Sequence, residues 1–347
     1  MRRARWGMTA RIGLIGALAV TLVIAVSLPP AVSDAAQKDK KSDDVSKPEL
    51  LTLRTPDEVN LHITYYKSTE EKDAAVVVLL HMKDGNRFVW TSDNGFAQLL
   101  QKNGFAVIAV DLRFHGENKA GGAVPAANPN QTKGKTKGKK AAGLDLKQGD
   151  YEAMWAQDME RVKTFIFEEH QAGRLNMNKM GIVGPEMGAS IAAQYALFDW
   201  AKEPYDDGQP GFQTPRGQDV RALVLISPEE TYHGSNIRLS KIITVLKDPD
   251  KQIAFLICSG NDKKEEDQAK RIFDMANPTL PNNKEKDRLN SDRMYLKTYQ
   301  AKLMGTDLLD QRLPIEENML VFFDKHLKKI DSPWRERQNK RDRKKAK

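Results

Sequence analysis

Apolar and polar positions switch repeatedly between two periods along the body of this chain. Leu51–Arg54 and Val59–Tyr66 read as the arms of a hairpin, with Thr55-Pro56-Asp57 as its turn. Ala74–Leu80 (AAVVVLL) is a continuous β-branched run, the pattern of a strand buried on both faces. Gly95–Lys102 has helical spacing and stops at Asn103-Gly104, and Phe105–Val110 (FAVIAV) is a second buried strand. Met154, Trp155, Met159, Val162, Phe165 and Ile166 form a helical stripe over Tyr151–His170. Met180–Val183 predicts a strand and Ala189–Phe198 a helix. The alternation continues with strands at Ala222–Ile226, Ile253–Cys258 and Met294–Tyr299, and helices at Ile237–Leu246, Ala269–Met275 and Pro314–Ile330. Buried strands separated by helices predict an α/β fold, a mostly parallel sheet covered on both faces. Ligands on such sheets bind beyond the carboxyl ends of the strands.

The ends of the chain are of another kind. Arg2, Arg3, Arg5 and Arg11 precede an uncharged apolar run from Ile12 to Leu28, followed by Pro29-Pro30 and the small residues Ala31 to Ala36. That order is the signature of an export signal over residues 1–36. A run of this length also sits at the lower edge of a bilayer span, so a cleaved signal and an uncleaved anchor both stay open. Either way the body is expected outside the cytoplasm, in the periplasm or envelope or secreted. Residues 37–48 read as a polar linker, 49–332 as the folded domain, 119–143 as a flexible insertion with five lysines between Lys133 and Lys140, and 333–347 as a basic tail. Of the net charge of +8, the first 36 residues hold +3 and residues 334–347 hold +6, which leaves the body at −1. The body's charge therefore points to no specific nucleic-acid surface, and polyanion binding, weak and salt-dependent, is expected only of the tail and the lysine run. The tail itself is expected to be disordered in isolation. One cysteine, Cys258 in an apolar strand, excludes a disulfide framework and a multi-cysteine zinc site.

Chemistry is expected at the strand ends. These are His81-Met82-Lys83-Asp84-Gly85, Asp111-Leu112-Arg113-Phe114-His115-Gly116, Gly184-Pro185-Glu186-Met187-Gly188, the segment Ser227 to Gly234 with His233, Ser259-Gly260-Asn261-Asp262, and Met304-Gly305-Thr306-Asp307. In this order they resemble the α/β-hydrolase family, the esterases, lipases and serine aminopeptidases, over roughly residues 50–330. The resemblance implies a sheet of about eight strands. It also implies a nucleophile elbow at Gly184–Gly188, an oxyanion loop at His81, the family's acid at Asp262 and its histidine loop at Met304–Asp307. His81, Met82, Met187, His115 and His233 are the implied pocket residues.

The departures from the family pattern bear on function. Glu186 stands where the nucleophilic serine is expected and Met304 where the histidine is expected, so only the acid, Asp262, is retained. A Ser-His-Asp triad needs an activated hydroxyl and an imidazole to move its proton, and neither stands at its position. Glu186 reads as a carboxylate nucleophile, as a group that binds a cation or hydroxyls, or as a relic. Asp262 reads equally as a strand-end turn former. No ligand-spacing motif supports a metal, and no cofactor is implied. The leading expectation is an exported protein with a degenerate triad that binds an unidentified small molecule or envelope component without catalysis. An active hydrolase of ester or peptide-type bonds using Glu186 with a histidine from another loop is the second, and a structural envelope protein is the third.

Overall fold

A computed structural model describes residues 46–118, 146–232, 238–248, 250–276, 293–309 and 312–340. The expected export signal at residues 1–36, the expected insertion at 119–143, His233 and residues 341–347 lie outside the described residues. The strands are β1 Glu49–Arg54, β2 Asn60–Tyr66, β3 Ala75–Leu79, β4 Ala106–Val110, β5 Asn176–Pro185, β6 Val220–Ile226, β7 Ala254–Ser259 and β8 Met294–Thr298. They form one eight-stranded sheet in the order β1-β2-β4-β3-β5-β6-β7-β8. The pairings β1–β2 and β2–β4 are antiparallel and those from β4 to β8 are parallel. The helices are α1 Phe96–Lys102, α2 Gln148–Ala153, α3 Met159–Gln171, α4 Met187–Trp200, α5 Leu239–Leu246, α6 Lys263–Ala276 and α7 Ile315–Phe323. Among the described residues no helix is long and apolar enough to cross a membrane.

The β-branched runs explain the layering. Successive side chains of a strand leave opposite faces. Val76 and Val78 of β3 accordingly enter one core with Met180, Ile182, Leu223 and Leu225, while Val77 and Leu79 enter the other with Val107, Val183 and Val224. Each central strand is thus apolar throughout because both of its faces are covered.

Two helices differ from their sequence patterns. The stripe over Tyr151–His170 is interrupted by a π turn at Met154–Asp158, between α2 and α3. The extra residue turns Asp158 inward, fully buried, where its carboxylate accepts from the backbone N–H and the guanidinium of Arg113 at 2.7–2.9 Å. The pattern over Pro314–Ile330 likewise ends in a π turn, Asp324–Lys328.

In the full chain, residues 334–340 pack against the body. Trp334 stacks on His170 at 4.9 Å and donates its indole N–H to the His170 carbonyl at 3.0 Å. Arg337 is 4% exposed and grips Asp219 through two nitrogens at 2.5 and 3.1 Å. The charge count suggested a solvated end, but one of its arginines has a buried carboxylate partner.

Candidate functional site

The carboxyl end of β5 turns sharply into α4 at Glu186, whose backbone sits at φ 45°, ψ −108°. A non-glycine residue there is strained, and the turn is held because its neighbours are glycines at positions of very close approach. A Cβ on Gly184 would lie 2.1 Å from the carbonyl oxygen of Gly188, and one on Gly188 would lie 2.8 Å from that of His81. The Glu186 N–H donates to the Ile226 carbonyl at 2.8 Å, which ties the turn to the end of β6. This is the elbow the spacing predicts, with a glutamate at its apex. The side chain of Met187, the next residue, packs wholly in the core.

The Glu186 carboxylate lies against Gly305. A Cβ at that position, where φ is +53°, would stand 2.6 Å from Glu186 Oε1 and 3.0 Å from the Met82 sulfur. The loops that carry Glu186, Met82 and Gly305 therefore converge, as the family resemblance implies. Thr306 donates its hydroxyl to the Met82 sulfur at 3.4 Å. Met304, at the histidine position, is 48% exposed and sits at the rim. Burial pushes the Glu186 carboxyl above its ordinary range, and the charges of Glu229, Glu265 and Asp307 push it the same way.

The two described pocket histidines do other work. The His81 Nε2 accepts from the Leu112 N–H at 3.1 Å, so its proton is on Nδ1, which donates to the Met82 carbonyl at 2.8 Å. His115 Nδ1 donates to the Arg113 carbonyl at 2.9 Å, and its ring lies 4.7 Å from that of His81. Both are fully buried. They brace the loops after β3 and β4 rather than offering an imidazole to Glu186. Asp111, also fully buried, pairs with Arg87 and accepts from the backbone of Arg87 at 2.7 Å and Glu117 at 3.2 Å. The Asp111–Gly116 motif is thus a loop brace.

Asp262 is a helix cap. Its side chain accepts from the Lys264 N–H at 3.1 Å and its carbonyl from the Glu266 N–H at 2.8 Å. The acid that connects the loops is Glu265, which sequence reasoning passed over, together with Ser227. Ser227, at φ 47°, donates its hydroxyl to Glu265 Oε1 and accepts from the Gly305 N–H at 2.7 Å. Glu265 Oε1 also accepts from the Gly260 N–H at 3.0 Å. Where a triad would link acid to histidine, this chain links Glu265 through a serine hydroxyl to the backbone of Gly305. The spacing Asp262-x-x-Glu265 matches a helix-capping signature, which could have drawn attention to Glu265. Its partner Ser227 carries no such signal. Among the described residues no group of three or more His, Cys, Asp or Glu is arranged to hold a metal.

No protein-family model matches the chain, and no curated protein matches it by sequence. Solved structures do. An esterase of Pyrococcus furiosus superposes with a TM-score of 0.51 at 14% identity, over 81% of this chain and 92% of that one. An acylaminoacyl peptidase of Pyrococcus horikoshii superposes with a TM-score of 0.51 at 12% identity, over 84% of this chain but only 43% of that one. At such identities the likeness establishes the α/β-hydrolase fold and nothing finer.

Proposed function

We propose that this chain is an exported α/β-hydrolase-fold protein with a degenerate triad, and that it binds a ligand at the elbow without hydrolysing it. The observation that carries this reading is the commitment of the site's groups. Glu186 occupies the nucleophile position, while His81 spends both ring nitrogens on backbone groups and His115 holds the Arg113 carbonyl through its Nδ1. A carboxylate nucleophile needs a base to activate water for the second half of the reaction. The loop that should supply one offers the Met304 thioether.

What the elbow offers instead is negative potential. The charges of Glu229, Glu265 and Asp307 act on the half-buried Glu186 carboxyl, so a ligand with an ammonium or with hydroxyl donors is favoured over an anion. Export rests on residues 1–36, and any envelope attachment on the basic residues beyond Lys340 and the lysines at 133–140. Purified protein is expected to give no labelling by fluorophosphonate probes. It should also give no turnover of p-nitrophenyl esters or aminoacyl substrates above the Glu186→Gln background. Stoichiometric labelling of a serine, or turnover lost in Glu186→Gln, refutes the non-catalytic reading.

A further inference from the structure

We infer that the end of the sheet opposite the elbow, at the amino ends of its central strands, carries a second site, shaped for a small phosphate dianion. It lies beside the start of β6 and beneath α3 and α4, about 30 Å from Glu186 by the ten-residue length of β5. A cavity of about 250 Å³ there is lined by Lys163, Lys202, Arg216 and Arg337, with Glu160 and Tyr205. No residue of the elbow takes part in it.

Charge is unbalanced around this cavity. Lys163 pairs with Asp199 and with Asp219 at 2.7 Å, Arg337 shares that same Asp219, and Lys202 pairs with Glu160. Lys163, Lys202, Arg216 and Arg337, the cations that line the cavity, thus face Glu160, Asp199 and Asp219, a surplus of one positive charge among these groups. Arg216 makes no ion pair among the described residues. Its guanidinium is held over the Tyr205 ring at 5.4 Å, which fixes the plane of the fork and leaves its N–H groups for a ligand. Burial and the neighbouring Lys163 ammonium hold the Lys202 amine below its ordinary range, the repulsion that a bound anion relieves. A planar guanidinium beside two ammonium groups suits the oxygens of a phosphate monoester, and the volume accommodates the phosphate group with a small organic remainder.

The test is calorimetric titration of the full chain with inorganic phosphate at constant ionic strength. Saturable one-site binding is expected. Affinity should fall at least about tenfold in Arg216→Gln, the loss of one charge-assisted contact, and similarly in Lys202→Met. Arg216 is an exposed loop residue, so its substitution leaves the Lys163, Lys202 and Arg337 pairs in place. Arg54→Gln, at an exposed surface pair with Glu58, and Glu186→Gln should bind as the unaltered chain does. Absence of saturable binding up to about 10 mM, or equal affinity in Arg216→Gln and the unaltered chain, overturns the site. Loss of binding in Glu186→Gln would move it to the elbow and overturn it as well.

Discussion

At the scale of single residues, Glu186 combines two costs. Its backbone is held in a region that disfavours any side chain, and its carboxyl is half-buried among like charges. Such strain is worth about 1–3 kcal/mol, part of which glycine recovers, less about 1 kcal/mol for the greater freedom of glycine in the unfolded chain. Glu186→Gly should therefore raise stability by about 1 kcal/mol in denaturant titration while abolishing ligand binding at the elbow. A loss of stability would mean that the carboxylate makes a net favourable contact with Gly305 or its neighbours. The charge cost has its own signature in pH. Because the folded state holds the Glu186 proton more tightly than the unfolded chain, stability falls as pH rises above the ordinary carboxylate range. The fall ends once the folded form is ionised too. Glu186→Gln removes that loss, so its Tm advantage over the unaltered chain should be small at pH 4 and grow towards pH 8. An advantage that shrinks with pH would reverse the sign assigned to the site.

At the scale of elements, the site depends on how loops are tied after the strands end. Ser227 joins the end of β6 to the histidine loop through Gly305 and to α6 through Glu265, all of it buried. Ser227→Ala leaves the Gly305 N–H without its acceptor and should cost about 1–3 kcal/mol, whereas Glu265→Gln keeps a carbonyl acceptor and should cost less. Equal costs in urea titration would show that the carboxylate charge, rather than the hydroxyl relay, holds the loop. These ties also mark where sequence reading reaches its limit. The β3 and β4 strands were legible because burial on both faces leaves an uninterrupted apolar run, and the elbow was legible because only glycine fits at Gly184 and Gly188. Ser227 and Glu265 are brought together across 38 positions by the register of three strands. Arg113 and Asp158, 45 positions apart, meet through a π turn that no periodicity announces. Local pattern carries no information about either meeting. His81 and His115 were found as site residues by position, but their partners are backbone groups that a motif does not name.

At the scale of the whole molecule, the stretch from Ser332 to Lys340 closes the end of the sheet remote from the elbow, at the amino ends of β5 and β6. Asn176 at the start of β5 donates to the Ser332 carbonyl at 2.9 Å, Trp334 lies on His170, and Lys340 donates its backbone N–H to Asp207 at 3.0 Å. Between them Arg337 fills the space beside Asp219, which it shares with Lys163. Burial of Asp219 opposes its charge, yet Lys163 and Arg337 together hold its carboxyl below the ordinary carboxylate range. Such a carboxylate adds stability that is present above its unfolded pKa and is lost as pH falls towards the lower folded value. Removing one partner of a buried pair leaves a charge that the remaining contacts only partly neutralise, at a cost of about 3–5 kcal/mol when the group stays dry. Truncation after Pro333 should therefore destabilise the protein by an amount of that order, and Arg337→Ala should reproduce most of it. Truncation after Lys340 removes Arg341, Arg343, Lys344, Lys345 and Lys347 and should leave Tm unchanged. It should also lower retention on heparin, because it removes five cations against the single carboxylate of Asp342. A tail that served only as a solvated polyanion-binding arm would give the opposite division: both truncations would be equally stable, and the longer one would merely lose more heparin affinity. Thermal unfolding of the two truncated chains beside Arg337→Ala at neutral pH separates a strap from an arm. Equal Tm in all three would remove the strap.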